Sequence, residues 1–191
     1  YGGFVLPKDS GVKDAHDIVE CTMDYLKNKG FSTFMLTPPP LFYSKFPHNH
    51  IEFVLQRYDF HIIKSELTSI VHLQQSIDEN FSLFKATART ATRKSSKMGV
   101  EIMISDRYEE FYALLEKNLG MRHNVKPTHT LEELLLLKKL FPNDIFLMAA
   151  FKDNVMISGV VVFKCNPNAI LAFYISHINE YQELRPLNQL F

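Results

Sequence analysis

Two periods of hydrophobic and polar positions run through this chain, and each change of period marks a boundary. "YGGFVL" reads as a strand end in which Gly2 and Gly3 permit a bulge or a close backbone approach. In "DAHDIVECTMDYLKNKG" the residues Ile18, Val19, Thr22, Tyr25 and Leu26 recur at helical spacing, and Gly30 supplies the stop. "FSTFMLT" alternates as a short strand, ended by "PPP" at 38–40 because proline cannot donate to a ladder. "HIEFVLQRYDF" reads as a short helix. "HIIKS" and "LTSIVHL" are rich in β-branched residues and read as two strands with Glu66 near their turn. "SIDENFSLFKATARTATRKSSKMG" predicts one long helix, begun near Asp78 or Ser82 and stopped at Gly99.

The second half is patterned more strongly. "VEIMIS" alternates as a strand, and Asp106 stands where it can cap the next helix. That helix carries an apolar stripe of Tyr108, Phe111, Leu114, Leu115 and Leu119. Thr130 and Glu133 have the spacing of a capping box at the head of "LEELLLLKKLF", which Pro142 ends. Three apolar runs follow: "IFLMAAF", "VMISGVVVFKC" and "AILAFYIS". The turn chemistry of "KDN" and "NPN" between them predicts an antiparallel meander. A final helix enters at Asn179, with Pro186 placed for a first turn. The fold class is α+β, with antiparallel strands flanked by helices.

Composition narrows the function classes. The 191 residues and 46% hydrophobic content suit one large or two small domains with a real core. Lys plus Arg equals Asp plus Glu at 21 each, so an electrostatic partner must be met by a local patch. Cys21 and Cys165 have no metal-ligand spacing and read as buried, inert thiols of a cytoplasmic protein. No apolar run approaches the ~20 residues of a membrane span. No signal peptide is visible. Starting at Tyr1 and stopping at Phe191 inside apolar patterns, the chain reads as a fragment cut within structure. His48, His50 and His61 lack a Cys or carboxylate frame at ligand spacing, so no metal is expected.

Two charged groupings stand out. Arg122, His123, Lys126 and His129 form a cationic and titratable cluster just before the Thr130 cap. It reads either as a solvated loop or as a rim gripping a carboxylate or phosphate, with histidine able to take an ammonium proton. Lys85, Arg89, Arg93 and Lys97 recur every four residues, with Lys94 beside them and no acid from 82 to 100. That stripe reads as a solvated helix face or as a contact for phosphate on a nucleotide, a lipid-linked precursor or tRNA.

"YGGF", "ARTATRKSSKMGVEI", "FYALLEKNLGMRHNVKPTHTLEELLLLKKLFP", "AAFKDNVMISGVVVF" and "AFYISHINEYQELRPLNQLF" resemble the Fem-like (FemAB/acetyltransferase-6) branch of the GNAT acyltransferase superfamily. The resemblance covers nearly the whole chain and is strongest over 89–191. It implies parts of two tandem repeats: the end of one at 1–78, a basic connecting helix at 79–99, and the start of a second at 100–191. It implies transfer of an acyl group, from acetyl-CoA or another acyl-CoA, to an amine of a sugar, amino acid or cell-envelope precursor, small or lipid-linked. Attack is direct, without a covalent enzyme intermediate. Tyr174, on the implied fourth strand, takes the part of thioester contact or proton relay, with His129 and His123 as further catalytic groups. Ser176, His177, Gln182 and Arg185 fall on the donor side, and Tyr1, Gly2, Gly3, Arg122, Lys126 and Arg93 on the acceptor side. The family's glycine-rich donor loop is replaced by "QELRP" at 182–186, which has no glycine. Two alternatives therefore stay open: an aminoacyl-tRNA-dependent transferase, although the linker is too short for a tRNA-reading helical arm, and a non-catalytic binding module.

Overall fold

Pairing partners, more than strand-forming residues, decide where this chain makes sheet. The computed structural model describes residues 2–191; Tyr1 and the His123 side chain lie outside the described residues. The chain divides into two units, Tyr1–Ile70 and Val71–Phe191.

The first unit is built on two helices, α1 (Val12–Asn28) and α2 (His50–Arg57). Asp14 accepts the Gly11 N–H at 2.7 Å and so opens α1, while Gly30 ends its turn at φ 77°. Ala15 and Val19 of α1 meet Ile51, Val54 and Leu55 of α2, with Phe4, Leu6 and Leu36 packed around them. The strands expected here do not form. The Gly2 N–H bonds Thr37 O at 2.9 Å, which draws "YGGFVL" against "FSTFMLT", but no ladder grows from it among the described residues. Prolines at 7 and 38–40 remove the donors that would extend it. Among the described residues, 61–73 form no regular element and pair with no strand. Ile62 and Ile63 are 84% and 77% exposed, and Leu67 is fully exposed.

In the second unit the expected long helix is two. α3 (Ile77–Leu83) starts at a capping box between Ser76 and Glu79, and α4 (Ala86–Lys97) follows a break at Phe84 and Lys85. Arg89 holds the break, its guanidinium donating to Ser82 O at 2.7 Å and Phe84 O at 3.0 Å. The rest keeps the expected order: β1 (Glu101–Ser105), α5 (Tyr108–His123), α6 (Leu131–Leu140), β2 (Ile145–Lys152), β3 (Val155–Asn166) and β4 (Ala169–His177). A 3₁₀ turn at Asn179–Leu184 leads to α7 (Pro186–Leu190), with Pro186 at its first position. Asp106 does not cap α5. Its carbonyl accepts the Tyr108 N–H at 2.8 Å, and Ser105 Oγ takes the Arg107 N–H.

The four strands lie in the order β1-β2-β3-β4, antiparallel throughout. Asp153 and Asn154 turn the β2–β3 hairpin with φ of 49° and 64°, the left-handed pair that a two-residue hairpin needs. One sheet face is covered by α5 and α6: Tyr108, Phe111, Leu115 and Leu134 pack on Leu147, Ala149 and Val161. Burial, then Asp106, pushes the Tyr108 phenol up to about 12, so it remains a neutral core group. Gly159 is where α5 comes closest, since a Cβ there would stand 2.6 Å from the Phe111 ring. On the other face, Val100, Ala150 and Ile157 sit under Tyr181, Leu184 and Leu190. α4 joins this layer through Thr92, whose hydroxyl donates to Asn188 O at 2.8 Å. Both thiols, expected inside, are free and exposed. Cys21 is on the outer side of α1, and Cys165 lies near the β3–β4 turn, outside the buried clusters.

Candidate functional site

The site is assembled by β4, the last strand of the sheet. Its inner edge pairs with β3, and among the described residues no strand pairs with its outer edge. Val161 pairs with Tyr174 and Val162 with Ala172, which leaves Phe173 as an extra residue. This bulge sets both Phe173 and Tyr174 toward the α5–α6 face. Phe173 stacks on Phe163 with centroids 4.4 Å apart, and Tyr174 packs at the margin of the α5–α6 core.

The segment before α6 closes on Tyr174. The Thr130 cap forms as expected: Glu133 N–H donates to Thr130 Oγ1 at 3.2 Å, and the Thr130 N–H donates to Glu133 Oε2 at 2.8 Å. One residue earlier, His129 meets Tyr174 twice. Its backbone N–H donates to Tyr174 Oη at 3.1 Å, and its Nδ1 stands 3.0 Å from the same oxygen. The backbone N–H takes one lone pair of Oη, and the contact with Nδ1 carries a single proton whose side is set by the imidazole tautomer. Tyr112 fixes the loop from below, its hydroxyl donating to His129 O at 3.0 Å. Burial first, then Glu116, raises the Tyr112 phenol above its ordinary value and keeps it a donor.

A groove of about 380 Å³ opens beside this pair. Leu115 and Leu119 of α5, Val125 and Pro127 of the loop, and Phe173 and Ile175 of β4 supply its apolar lining. Lys126, Thr128 and Tyr174 supply the polar part.

Below the groove lies a buried polar network. Asn118 donates to Ser176 Oγ at 2.7 Å and to His177 O at 2.6 Å. Ser176 Oγ reaches Leu114 O at 3.4 Å, and Ser158 Oγ donates to Ser176 O at 3.0 Å. Ser176 is therefore consumed in joining α5 to β4. Arg122 donates to Asn179 Oδ1 at 3.2 Å. Burial, then the Arg122 charge, lowers the His177 imidazole below its ordinary 6.5.

The structure thus brings Tyr174 and Lys126 into the lining of one groove and His129 onto Tyr174, while Ser176 and His177 are tied to Asn118 and Arg122 to Asn179, outside that lining. Gln182 and Arg185 are exposed at the other sheet face, where the neighbouring Tyr181 and Leu184 pack. Arg185 takes a left-handed backbone, φ 54°, ahead of Pro186. Arg93 stands in the α4–α7 layer over the Phe81 ring at 5.2 Å, away from Tyr174. Gly2 and Gly3 belong to the first unit. His48 and His50 stack with centroids 4.7 Å apart. Among the described residues, His16, Asp17 and Glu20 of α1 bring potential ligand atoms within 4.8 Å of one another on an exposed surface.

Tyr112, Asn118 and Phe173 are the site residues that sequence reading passed over. Asn118 was findable, because it falls seven residues after Phe111 on the apolar stripe, where a polar side chain must be paired. No family model matches this chain, and no curated protein matches it. Among the described residues no helix is long and apolar enough to cross a membrane.

Proposed function

We propose that this chain is an N-acyltransferase moving an acyl group from a thioester donor to an amine of a sugar, amino acid or envelope precursor. The supporting observation is the Tyr174–His129 pair, held at 3.0 Å at the mouth of a groove along the unpaired edge of β4. The acceptor nitrogen attacks the thioester carbonyl, the C–N bond forms, and the C–S bond breaks. Tyr174 passes its phenol proton to the departing sulfur and is reprotonated by the acceptor ammonium. His129 positions the phenol through Nδ1, and its backbone N–H steadies the oxygen while the proton is away. Lys126, in the groove lining, offers positive charge for an anionic part of either substrate.

The Tyr174→Phe variant tests this reading. Acetyl-CoA in excess stabilises the full chain, by about 2.7 kcal/mol at 100 times its Kd. Transfer to an amine then falls by about 10²–10⁴ in Tyr174→Phe while donor binding is kept. No thermal shift with any acyl-CoA sinks the donor assignment. Tight, salt-sensitive binding of charged tRNA moves the donor to aminoacyl-tRNA.

A second reading has its own observation. Pro186 occupies the first position of α7 and withholds an N–H where a donor pyrophosphate would seat, and no glycine stands from 182 to 186. That feature favours a binding module without transfer. Ligand binding with unchanged amine and thioester on prolonged incubation distinguishes it.

A further inference from the structure

The groove also says what kind of acyl group it suits. Its walls are Leu115, Leu119, Val125, Pro127, Phe173 and Ile175. Lys126 is the ionised group at its rim, and among the described residues that line it none is acidic. Among the lining residues an ammonium meets the Lys126 charge and no carboxylate, whereas Glu116, Glu132 and Glu133 act on neighbouring Tyr112 outside the lining, the side that suits the acceptor amine. An acetyl group is one methyl and a carbonyl, and it would fill a small part of a groove of about 380 Å³ whose lining is mostly apolar. Tyr174 is part of the same lining, so on the transferase reading a chain extending from a carbonyl held at its hydroxyl meets these apolar walls.

Resting on the transferase reading, we infer that the groove holds the hydrocarbon tail of a medium-chain acyl donor, with its carbonyl at Tyr174. Chain length is then read by burial: each methylene that leaves water adds affinity until the groove is full. Lys126 meets the polar end of the donor at the rim. The walls at Val125 and Ile175 are half open, 50% and 44% exposed, so the tail lies in a trough and not in a closed cavity.

The experiment is a titration of the full 191-residue chain with acetyl-, hexanoyl-, octanoyl- and decanoyl-CoA, followed by calorimetry. Affinity is expected to rise about two- to fourfold per methylene and then level off. Val125→Glu, a change at an exposed wall, is expected to flatten that rise. Equal affinity from acetyl to decanoyl overturns the inference and leaves the transferase reading intact. A rise that persists in Val125→Glu also overturns it, because the tail then binds elsewhere. No binding at any length removes the transferase reading, and the inference with it.

Discussion

β3 and the stretch 61–73 are made of similar residues and meet opposite fates. "VMISGVVVF" and "HIIKSELTSIVHL" are both rich in β-branched side chains. β3 has a strand on each side and helices over both faces, and seven of its residues in a row, 156–162, are buried. The other stretch is exposed from 61 through 73 and pairs with nothing in the sheet. The contrast teaches that strand propensity describes fitness for a half-buried pleated surface, which a neighbour has to provide. β3 obtains its neighbours cheaply, from hairpins closed by Asp153-Asn154 on one side and the 166–168 turn on the other.

Five measurements sharpen or break that contrast. Phe111→Ala uncovers β3 and should cost the second unit about 3–5 kcal/mol in a urea titration. A cost below about 1 kcal/mol would mean that α5 is not what stabilises the sheet. Gly159→Ala thrusts a methyl into the Phe111 ring and should destabilise by about 1–3 kcal/mol, with the loss reduced in a Phe111→Leu background. At the end of β4, His177 makes stability depend on pH. Its folded value lies below 6.5, so the unfolded chain binds the proton first. The contribution is whole above about pH 6.5 and is lost as pH falls from there through the lowered folded value. Urea midpoints at pH 7.5 and 5 should therefore converge in His177→Gln relative to the native chain. The smallest effect belongs to the unpaired stretch: Leu67→Ala should change stability by less than about 0.5 kcal/mol. Amide exchange should find 61–73 unprotected while 157–161 exchange only on global unfolding.

The sheet of the second unit was legible because its signals are local. Alternation, turn residues and caps lie within a few positions of one another, and Thr130–Glu133 and Gly99 behave as their types require. The misreadings came where the deciding fact was distant or absent. Nothing in "HIIKS" says that no strand will lie beside it. Nothing in the 82–98 pattern announces that Phe84 and Lys85 turn extended and that Arg89 bridges the break. Tyr174 was identifiable as a titratable group on the last strand, and His129 as one just ahead of a helix. Their meeting was not, since 45 residues separate them and the bulge at Phe173 decides which way the phenol faces.

That bulge has a consequence for any alignment drawn through β4. Residues on either side of Phe173 follow opposite odd–even rules, so a gapless match to an unbulged strand sets Tyr174 against a position facing the far side of the sheet. A relative with the same groove would then look as if it lacked the tyrosine, and one insertion at 173 would restore it.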